Sequence, residues 1–329
     1  MASSEDSLIS RYFKPLATDP GAFGLTDDAA VLKADGFDIV VNTDAIVEGV
    51  HFLPDDPADT IARKALRVNL SDLAAKGATP AGFVLTLALR DTDHDWLAEF
   101  ARGLAEDAAA FGCSLLGGDT VSTPGPLMVS ITAFGRVPAG RMVRRAGAAA
   151  GDHVVVTGTI GDAALGLAVL RSGAVAEALA DDASARDALV SRYRVPQPRA
   201  ALAAAVRDHA SASMDVSDGL AGDLTKLLAT SGVGASVETA AIPLSEPAAR
   251  LHRQGVVDLE TLVSGGDDYE ILCTISPVHL AAFMADARHA GVAVTAIGTV
   301  SAGAGARFVD AQGCELVLSR MSYSHFDKL

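Results

Sequence analysis

Aspartates beside glycine, serine or threonine are the residues of this sequence best suited to chemistry. Apart from Asp72, which falls in a predicted helix, they lie at or near the ends of predicted strands. They are Asp27-Asp28, Asp44, Asp72, Asp119, Asp215, Asp218 and Asp267-Asp268. A carboxylate at a strand end is held by the sheet and faces a crevice, which is the arrangement that hard cations need. Each segment alone is more typical of a turn, but their recurrence favours a metal site.

For three further features, residue type alone allows both a functional and a structural interpretation. Asn69 and Asp72 share one helical face at i,i+3. They are either residues of the metal site or ordinary solvated surface. The arginines within 141–145 suit a nucleotide phosphate or, equally, a solvated basic turn. His51 follows Asp44 closely, although a lone histidine is more often structural than functional.

The usual phosphate-binding motifs are missing. The sequence has no Gly-Lys pair, so it has no GxxxxGK[ST] loop, and it lacks the Gly-rich loop, HRD and DFG elements of protein kinases. Residues 154–162 imitate the strand–turn–helix of a dinucleotide site, but the glycine spacing fits GxGxxG poorly. A nicotinamide oxidoreductase is therefore the weakest interpretation.

Composition narrows the class of protein. The chain has 329 residues, with 26 Lys+Arg against 41 Asp+Glu and a net charge of −15, which argues against nucleic-acid or anionic-membrane binding. The cysteines Cys113, Cys273 and Cys314 are scattered and predict neither a disulfide framework nor a zinc site. With no export signal or membrane span visible in the sequence, we expect a cytoplasmic protein.

The elements that must position the aspartates alternate between helix and strand in both halves of the chain, which predicts an α/β (α+β) protein. Helices are expected at 8–16, 59–76, 93–111, 162–171, 220–231 and 278–290; strands are expected at 37–45, 83–89, 113–116, 153–157, 213–216, 235–237 and 269–274, with 127–137 completing the first half. The small, Gly/Ala-rich segment 146–151 predicts two domains, 1–148 and 149–329.

Five ordered motifs together resemble the thiamine-monophosphate kinase family, within the superfamily typified by aminoimidazole ribonucleotide synthetase. They are Thr43-Asp44 with His51-Phe52, the segment NLSDLAA at 69–75, GGDT at 117–120, DVSDGL at 215–220 and SGGDDYE at 264–270. The resemblance runs from residues 7–9 to 323–326. Such a combination is hard to produce by chance.

The resemblance implies transfer of the γ-phosphoryl group of ATP to thiamine monophosphate with several Mg²⁺ ions. It also implies a homodimer whose N-terminal halves, which bind ATP and Mg²⁺, form a β-barrel, and a C-terminal α/β sandwich. Residues carried over as metal ligands are Asp28, Asn42 (where Ser is usual), Thr43, Asp44, Asp72, Asp119, Asp215 and Asp218. Those carried over as ATP contacts are Gly118, Asp119, Arg145 and Ser217, and His51 and Asp267 are carried over as substrate contacts.

Three positions depart from the family pattern. The usual Gly-Ile-Gly before Asp27-Asp28 is Gly24-Leu25-Thr26, and Asp267 stands where a substrate-contacting Glu is usual. Arg320 replaces an aromatic residue expected to stack on the thiamine ring. An arginine can stack on a planar ring, but beside a cationic thiazolium its charge is unfavourable.

A metal-centred transfer needs no dedicated general base, because the acceptor phosphate is already ionised. Two alternatives stay open beside this one: another ATP-dependent synthetase of the same superfamily, and a non-catalytic acidic metal-binding protein. A synthetase would release ADP with free phosphate. A metal-binding protein would not be stabilised by ATP and Mg²⁺.

Overall fold

The computed structural model describes Lys14 and residues 19–322. Its strands form two sheets, one from each half of the chain. The predicted helix at 8–16 lies outside the described residues except for Lys14, as do 7–9 and 323–326 at the two ends of the family resemblance. No helix in this described part is long and apolar enough to span a membrane.

The N-terminal sheet has five strands: β1 (Ala30–Ala34), β2 (Phe37–Val47), β3 (Thr79–Leu89), β4 (Ser114–Ser122) and β5 (Met128–Pro138). Their order is β1-β2-β5-β3-β4, and only β3 and β4 pair in parallel. Among the described residues this sheet is open, with β1 and β4 at its edges. The described residues of one chain therefore form no closed barrel; the resemblance implies a barrel that two N-terminal halves share.

Two helices cover one face of this sheet: α1 (Ala58–Ala75) and α2 (His94–Ala110). Leu66, Leu70 and Leu73 of α1 are fully buried in a core shared with β2 and β5. Helix α2 begins after Asp93, whose carboxylate accepts hydrogen bonds from the next turn. The helix predicted at 59–76 is thus present and is nearly enclosed.

The C-terminal sheet has seven strands: β6 (His153–Thr157), β7 (Ala210–Asp215), β8 (Gly234–Glu238), β9 (Ile271–Ile275), β10 (Val294–Ser301), β11 (Gly305–Val309) and β12 (Glu315–Leu316). Their order is β12-β11-β8-β10-β6-β9-β7. The helices around it are α3 (Asp162–Leu170), α4 (Ala174–Ala178), α5 (Ala183–Arg194), α6 (Ala203–His209), α7 (Leu220–Ser231), α8 (Glu246–Arg253), α9 (Leu259–Ser264) and α10 (Pro277–His289). Two apolar clusters contain α7 and α10 separately, and residues of the sheet belong to both.

Two predicted strand boundaries are wrong in ways that affect the site. The strand expected at 113–116 continues through Ser122, because Gly117–Thr120 pair in register with β3. Gly118 permits this pairing, since a Cβ there would lie 1.9 Å from the carbonyl oxygen of Leu85. The strand expected at 269–274 begins at Ile271, because Asp267 and Tyr269 have left-handed φ angles of 71° and 50°.

Candidate active site

A cleft of about 830 Å³ takes its walls from both halves of the chain, and we call it the acidic cleft. Most residues predicted for the site line it. These are Asp28, Thr43, Asp44, His51, Asp72, Asp215, Ser217, Asp218, Asp267 and Arg320. Asn42 and Arg145 are not part of this lining, and neither are Gly118 and Asp119, which lie on the exposed edge strand β4.

The centre of the acidic cleft brings together Asp44 of β2, Asp72 of α1 and Asp215 of β7. Burial raises the pKa of Asp72 well above its ordinary value, and the charges of Asp215 and Asp44 raise it further. Burial likewise raises the pKa of Asp215 to about 7, assisted by its acidic neighbours. Asp44 is open to solvent in the cleft but enclosed on its protein side, and its pKa is also raised, first by burial.

This cluster fits a divalent cation that shares its ligands with a bound phosphate. Burial and mutual repulsion destabilise the ionised forms of these carboxylates, so the binding of a cation among them is favourable. Within residues 19–322, no three Asp, Glu, His or Cys side chains are arranged to hold a metal ion by themselves. Mg²⁺ sites of phosphoryl-transfer proteins commonly use one or two carboxylates, with water and substrate phosphates completing the shell. An open carboxylate cluster is therefore suited to Mg²⁺ that arrives with ATP.

Two buried asparagines hold the central aspartates in place. The side-chain amide of Asn42 donates to Asp72 Oδ2 at 2.8 Å and to Asn69 Oδ1 at 3.1 Å. Asn69 Oδ1 also accepts from the backbone N–H of Asp44 at 3.1 Å. Asn69 is fully buried, so its interpretation as solvated surface is wrong. Asn42 Oδ1 is buried and has no hydrogen-bond partner among the described residues, which leaves one oxygen for a further ligand.

Asp27 and Asp28 are bound by basic side chains. Lys76 Nζ lies 2.9 Å from Asp27 Oδ1 and 2.6 Å from Asp28 Oδ2. The Arg145 guanidinium also pairs with Asp28, and its backbone N–H donates to Asp27 Oδ2 at 2.8 Å. Arg144 lies over the ring of Phe23 at 4.1 Å. Arg144 Nε also lies 4.0 Å from Asp27 Oδ2, so both arginines are held near the two aspartates.

Ser217 and Asp218 occupy a turn that leads into α7. Their backbone N–H groups donate to Asp223 Oδ2 at 3.0 and 2.9 Å. Lys226 Nζ lies 2.6 Å from Asp218 Oδ2 and 3.1 Å from Asp223 Oδ1. Gly219, with φ of 111°, allows the close approach of this turn to Ser264, whose carbonyl carbon would lie 2.7 Å from a Cβ.

Asp267 lies on the Gly-rich loop that faces this turn. The backbone N–H groups of Asp267 and Tyr269 donate to the Ser217 and Val216 carbonyls, both at 2.8 Å. Lys64 Nζ, from α1, lies 3.0 Å from Asp267 Oδ2. This buried lysine therefore forms an ion pair between the two halves of the chain.

The other predicted substrate residues lie in the cleft wall. The Nδ1 atom of His51 accepts a hydrogen bond from the Val47 N–H at 3.0 Å, so a neutral imidazole carries its proton on Nε2. The backbone N–H of Arg320 donates to Glu260 Oε1 at 2.8 Å. The side-chain Nε of Arg320 donates to the Ser322 carbonyl at 2.8 Å. Arg320 is exposed, and both Glu260 and Asp258 line the same cleft.

Three lysines at the site, Lys64, Lys76 and Lys226, were missed by sequence reasoning. Lys64 has a weak sequence signal, because it follows Ile61 by three residues and precedes Val68 by four, on the apolar face of α1. A lysine at such a position needs a buried partner. Lys76 has no comparable signal, since its two carboxylate partners, Asp27 and Asp28, precede it by almost fifty residues.

Both halves of the chain match models of known protein families. Residues 26–137 match the family model "AIR synthase related protein, N-terminal domain", and residues 149–311 match "AIR synthase related protein, C-terminal domain". The chain is thus a two-part protein of the AIR synthase-related class. A thiamine-monophosphate kinase of Caulobacter vibrioides is 45% identical over 323 residues, covering 96% of this chain and 89% of that protein. The chain belongs to the thiamine-monophosphate kinase family.

Solved structures agree with this assignment. The thiamine-monophosphate kinase of Stenotrophomonas maltophilia superposes with a TM-score of 0.76 at 36% identity, covering 94% of this chain and 97% of that one. A structure described as AaThiL complexed with AMPPCP and TMP gives a TM-score of 0.78 at 27% identity, covering 92% and 97%. The mixed α/β fold in two parts is therefore that of the family.

Proposed function

We propose that this chain is a phosphotransferase that moves the γ-phosphoryl group of ATP onto the phosphate of thiamine monophosphate, giving ADP and thiamine diphosphate. The observation that carries the proposal is the convergence of Asp44, Asp72 and Asp215 at the centre of the acidic cleft. The choice of ATP and thiamine monophosphate as substrates follows from membership of the thiamine-monophosphate kinase family. A structural relative described as complexed with AMPPCP and TMP supports this choice.

The carboxylates of the acidic cleft perform the electrostatic part of this reaction. Phosphoryl transfer passes through a loose transition state, so catalysis consists mostly of alignment and charge neutralisation. Bound Mg²⁺ would supply that neutralisation. The residues proposed to hold it are Asp28, Asn42, Thr43, Asp44, Asp72, Asp119, Asp215 and Asp218. No side chain has to act as a general base, because the acceptor oxygen is already ionised.

ATP is proposed to contact Gly118, Asp119, Arg145 and Ser217. Arg145 is paired with Asp28, so its contact with a phosphate requires that pair to open or to share the guanidinium. Ser217 already lies in the cleft wall. The division into an ATP- and Mg²⁺-binding domain at 1–148 and a second domain at 149–329 belongs to the same proposal.

The thiamine moiety is proposed to contact His51, Asp267 and Arg320. Its thiazolium ring is cationic, which opposes an approach to the Arg320 guanidinium. Glu260, which accepts a hydrogen bond from the backbone N–H of Arg320, also lines the cleft, and its negative charge opposes that repulsion. Asp267, shorter by one methylene than the usual Glu, is held by Lys64 at 3.0 Å.

A coupled assay tests the proposed function. With ATP and Mg²⁺, we expect ADP and thiamine diphosphate in equal amounts when thiamine monophosphate is present, and no ADP when thiamine replaces it. ADP with free phosphate would instead identify a synthetase. Metal binding without thermal stabilisation by ATP and Mg²⁺ would identify a non-catalytic protein.

A homodimer is proposed from the exposed edge of the N-terminal sheet. All nine residues of β4 are exposed, and Leu115, Leu116 and Val121 expose 52%, 64% and 44% of their surface. An apolar unpaired edge favours pairing with another chain. Closure of a barrel by two copies would cover this edge. Since Asp119 lies on β4 and not in the cleft of its own chain, its proposed role depends on that assembly.

Leu116→Asp should convert the dimer into a monomer, because it places a charge in the proposed interface. We expect the mass measured by light scattering to fall from about twice 33.6 kDa to 33.6 kDa. The matched control is Val278→Asp on α10, where valine is 83% exposed; it should leave the mass unchanged. A wild-type protein that already elutes as a monomer at micromolar concentration would contradict the proposed dimer.

A further inference from the structure

The acidic cleft has a cation of its own. Lys76 is fully buried. Its Nζ atom lies 2.9 Å from Asp27 Oδ1 and 2.6 Å from Asp28 Oδ2, and donates to the Ser213 carbonyl at 2.7 Å. The ammonium group therefore forms one hydrogen bond, to a backbone carbonyl, and two ion pairs with carboxylates. Of these two carboxylates, that of Asp28 also lines the acidic cleft.

The position of this lysine is fixed by the backbone. Lys76 directly follows the last residue of α1, and its N–H donates to the Asp72 carbonyl. Gly77 then takes a φ of 70°, and a Cβ there would lie 2.7 Å from Cβ of Arg207. The helix end and the tight turn after it leave the side chain little freedom. A basic group at a helix C-terminus is also favoured by the helix dipole.

The charge of Lys76 reaches the central aspartates as well. Burial and neighbouring carboxylates raise the pKa of Asp72 and of Asp215, and in both cases Lys76 opposes that rise. Lys76 is thus one cation that acts on four carboxylates, which belong to β7, α1 and the segment before β1.

We propose that Lys76 is a built-in counter-cation that stabilises the metal-free acidic cleft through its ion pairs with Asp27 and Asp28, and that it lowers the affinity of the cleft for divalent cations. Two positive charges close together repel, so a fixed ammonium disfavours a metal ion nearby. The proposal rests on the proposed function only in that the cleft accepts divalent cations.

Mn²⁺ binding and thermal melting of Lys76→Met test this role, with Lys76→Arg as the charge-preserving control. In EDTA, Lys76→Met should melt below the wild type, and saturating Mn²⁺ should remove most of that difference. Its dissociation constant for Mn²⁺, measured by electron paramagnetic resonance, should be about tenfold lower than that of the wild type. Lys76→Arg should resemble the wild type in Mn²⁺ affinity. An equal loss of melting temperature with and without Mn²⁺, at unchanged affinity, would overturn the proposal.

A second variant keeps the test decisive if Lys76→Met does not fold in EDTA. Asp27→Asn combined with Lys76→Met removes one charge of each sign, so it should fold in EDTA and bind Mn²⁺ about as the wild type does. If this double variant also fails to fold, with and without Mn²⁺, Lys76 is a structural residue and the proposal is wrong. None of these readings uses turnover, so they are independent of which acceptor the enzyme phosphorylates.

Discussion

Asp44→Ala is expected to lower kcat by about 10²- to 10³-fold or more, the loss typical when a group that stabilises transition-state charge is removed. Asp44 lies inside β2, paired opposite Ile131, so the strand itself does not depend on its side chain. Its carboxylate opens into the acidic cleft, where it meets Asp72. Removing it takes away a proposed Mg²⁺ ligand from the centre of the site.

The same substitution should not destabilise the protein when metal is absent. Burial and the charge of Asp218 raise the pKa of Asp44, which means that its ionised form costs folding free energy at neutral pH. Without it, Asp72 and Asp215 also experience less repulsion. The melting temperature in EDTA should therefore stay the same or rise while turnover is lost.

Steady-state assays and melting curves on the same preparations check both statements. Asp35→Ala is the matched control, because Asp35 is an exposed aspartate in the turn between β1 and β2, outside the cleft. It should leave kcat and the melting temperature unchanged. Near-normal turnover of Asp44→Ala would contradict the metal-centred mechanism, and a large fall in its melting temperature would contradict the electrostatic account.

The sequence predicted those parts of the fold that depend on local patterns. The strand at 153–157 and the helix at 220–231 have the predicted bounds, because apolar periodicity and flanking glycines are local signals. Asp119 was expected after a short strand, but it lies within β4, since pairing with β3 extends the strand through two glycines. Such pairing depends on a partner strand that is distant in sequence.

The sequence predicts the acidic residues of the candidate site, but it does not predict the ion pairs that basic residues form with them. Aspartates next to Gly, Ser or Thr form visible motifs, and most of them line one cleft. The partners of Lys76 come from the segment before β1 and from β7, so no local spacing marks it. Arg145, which the family resemblance carries over as an ATP contact, pairs with Asp28 in the structure, a partner that no motif indicates. Ion pairs between distant segments follow from tertiary packing, which one sequence does not encode as a motif.

Glu270→Ala is expected to lower the free energy of unfolding by about 3 kcal/mol. This is the lower end of the range for breaking a buried ion pair. Glu270 is fully buried and accepts from Arg192 Nη2 at 2.8 Å, Arg199 Nε at 2.6 Å and Thr157 Oγ1 at 2.6 Å. Its removal leaves two guanidinium groups without their main anionic partner. Both arginines retain some exposure, which limits the loss.

Urea unfolding measures this effect, and Glu48→Ala is the control. Glu48 makes two hydrogen bonds of 2.8 Å with Arg90, whose side chain is 50% exposed, so its removal should cost at most about 1 kcal/mol. Equal losses for the two variants would show that burial of Glu270 is not what makes its ion pairs important.

The loss at Glu270 should also extend to substrate binding, because of what the glutamate connects. It ends the Gly-rich loop that carries Asp267, and Arg192 of α5 binds both its carboxylate and the Asp268 carbonyl at 2.9 Å. Without the carboxylate, the loop loses one of the two attachments that α5 provides through Arg192. KM for thiamine monophosphate should therefore rise at temperatures where the variant is still folded, and KM for ATP should change less, since the proposed ATP contacts lie on other segments. A parallel rise in both constants would instead indicate general unfolding of the cleft.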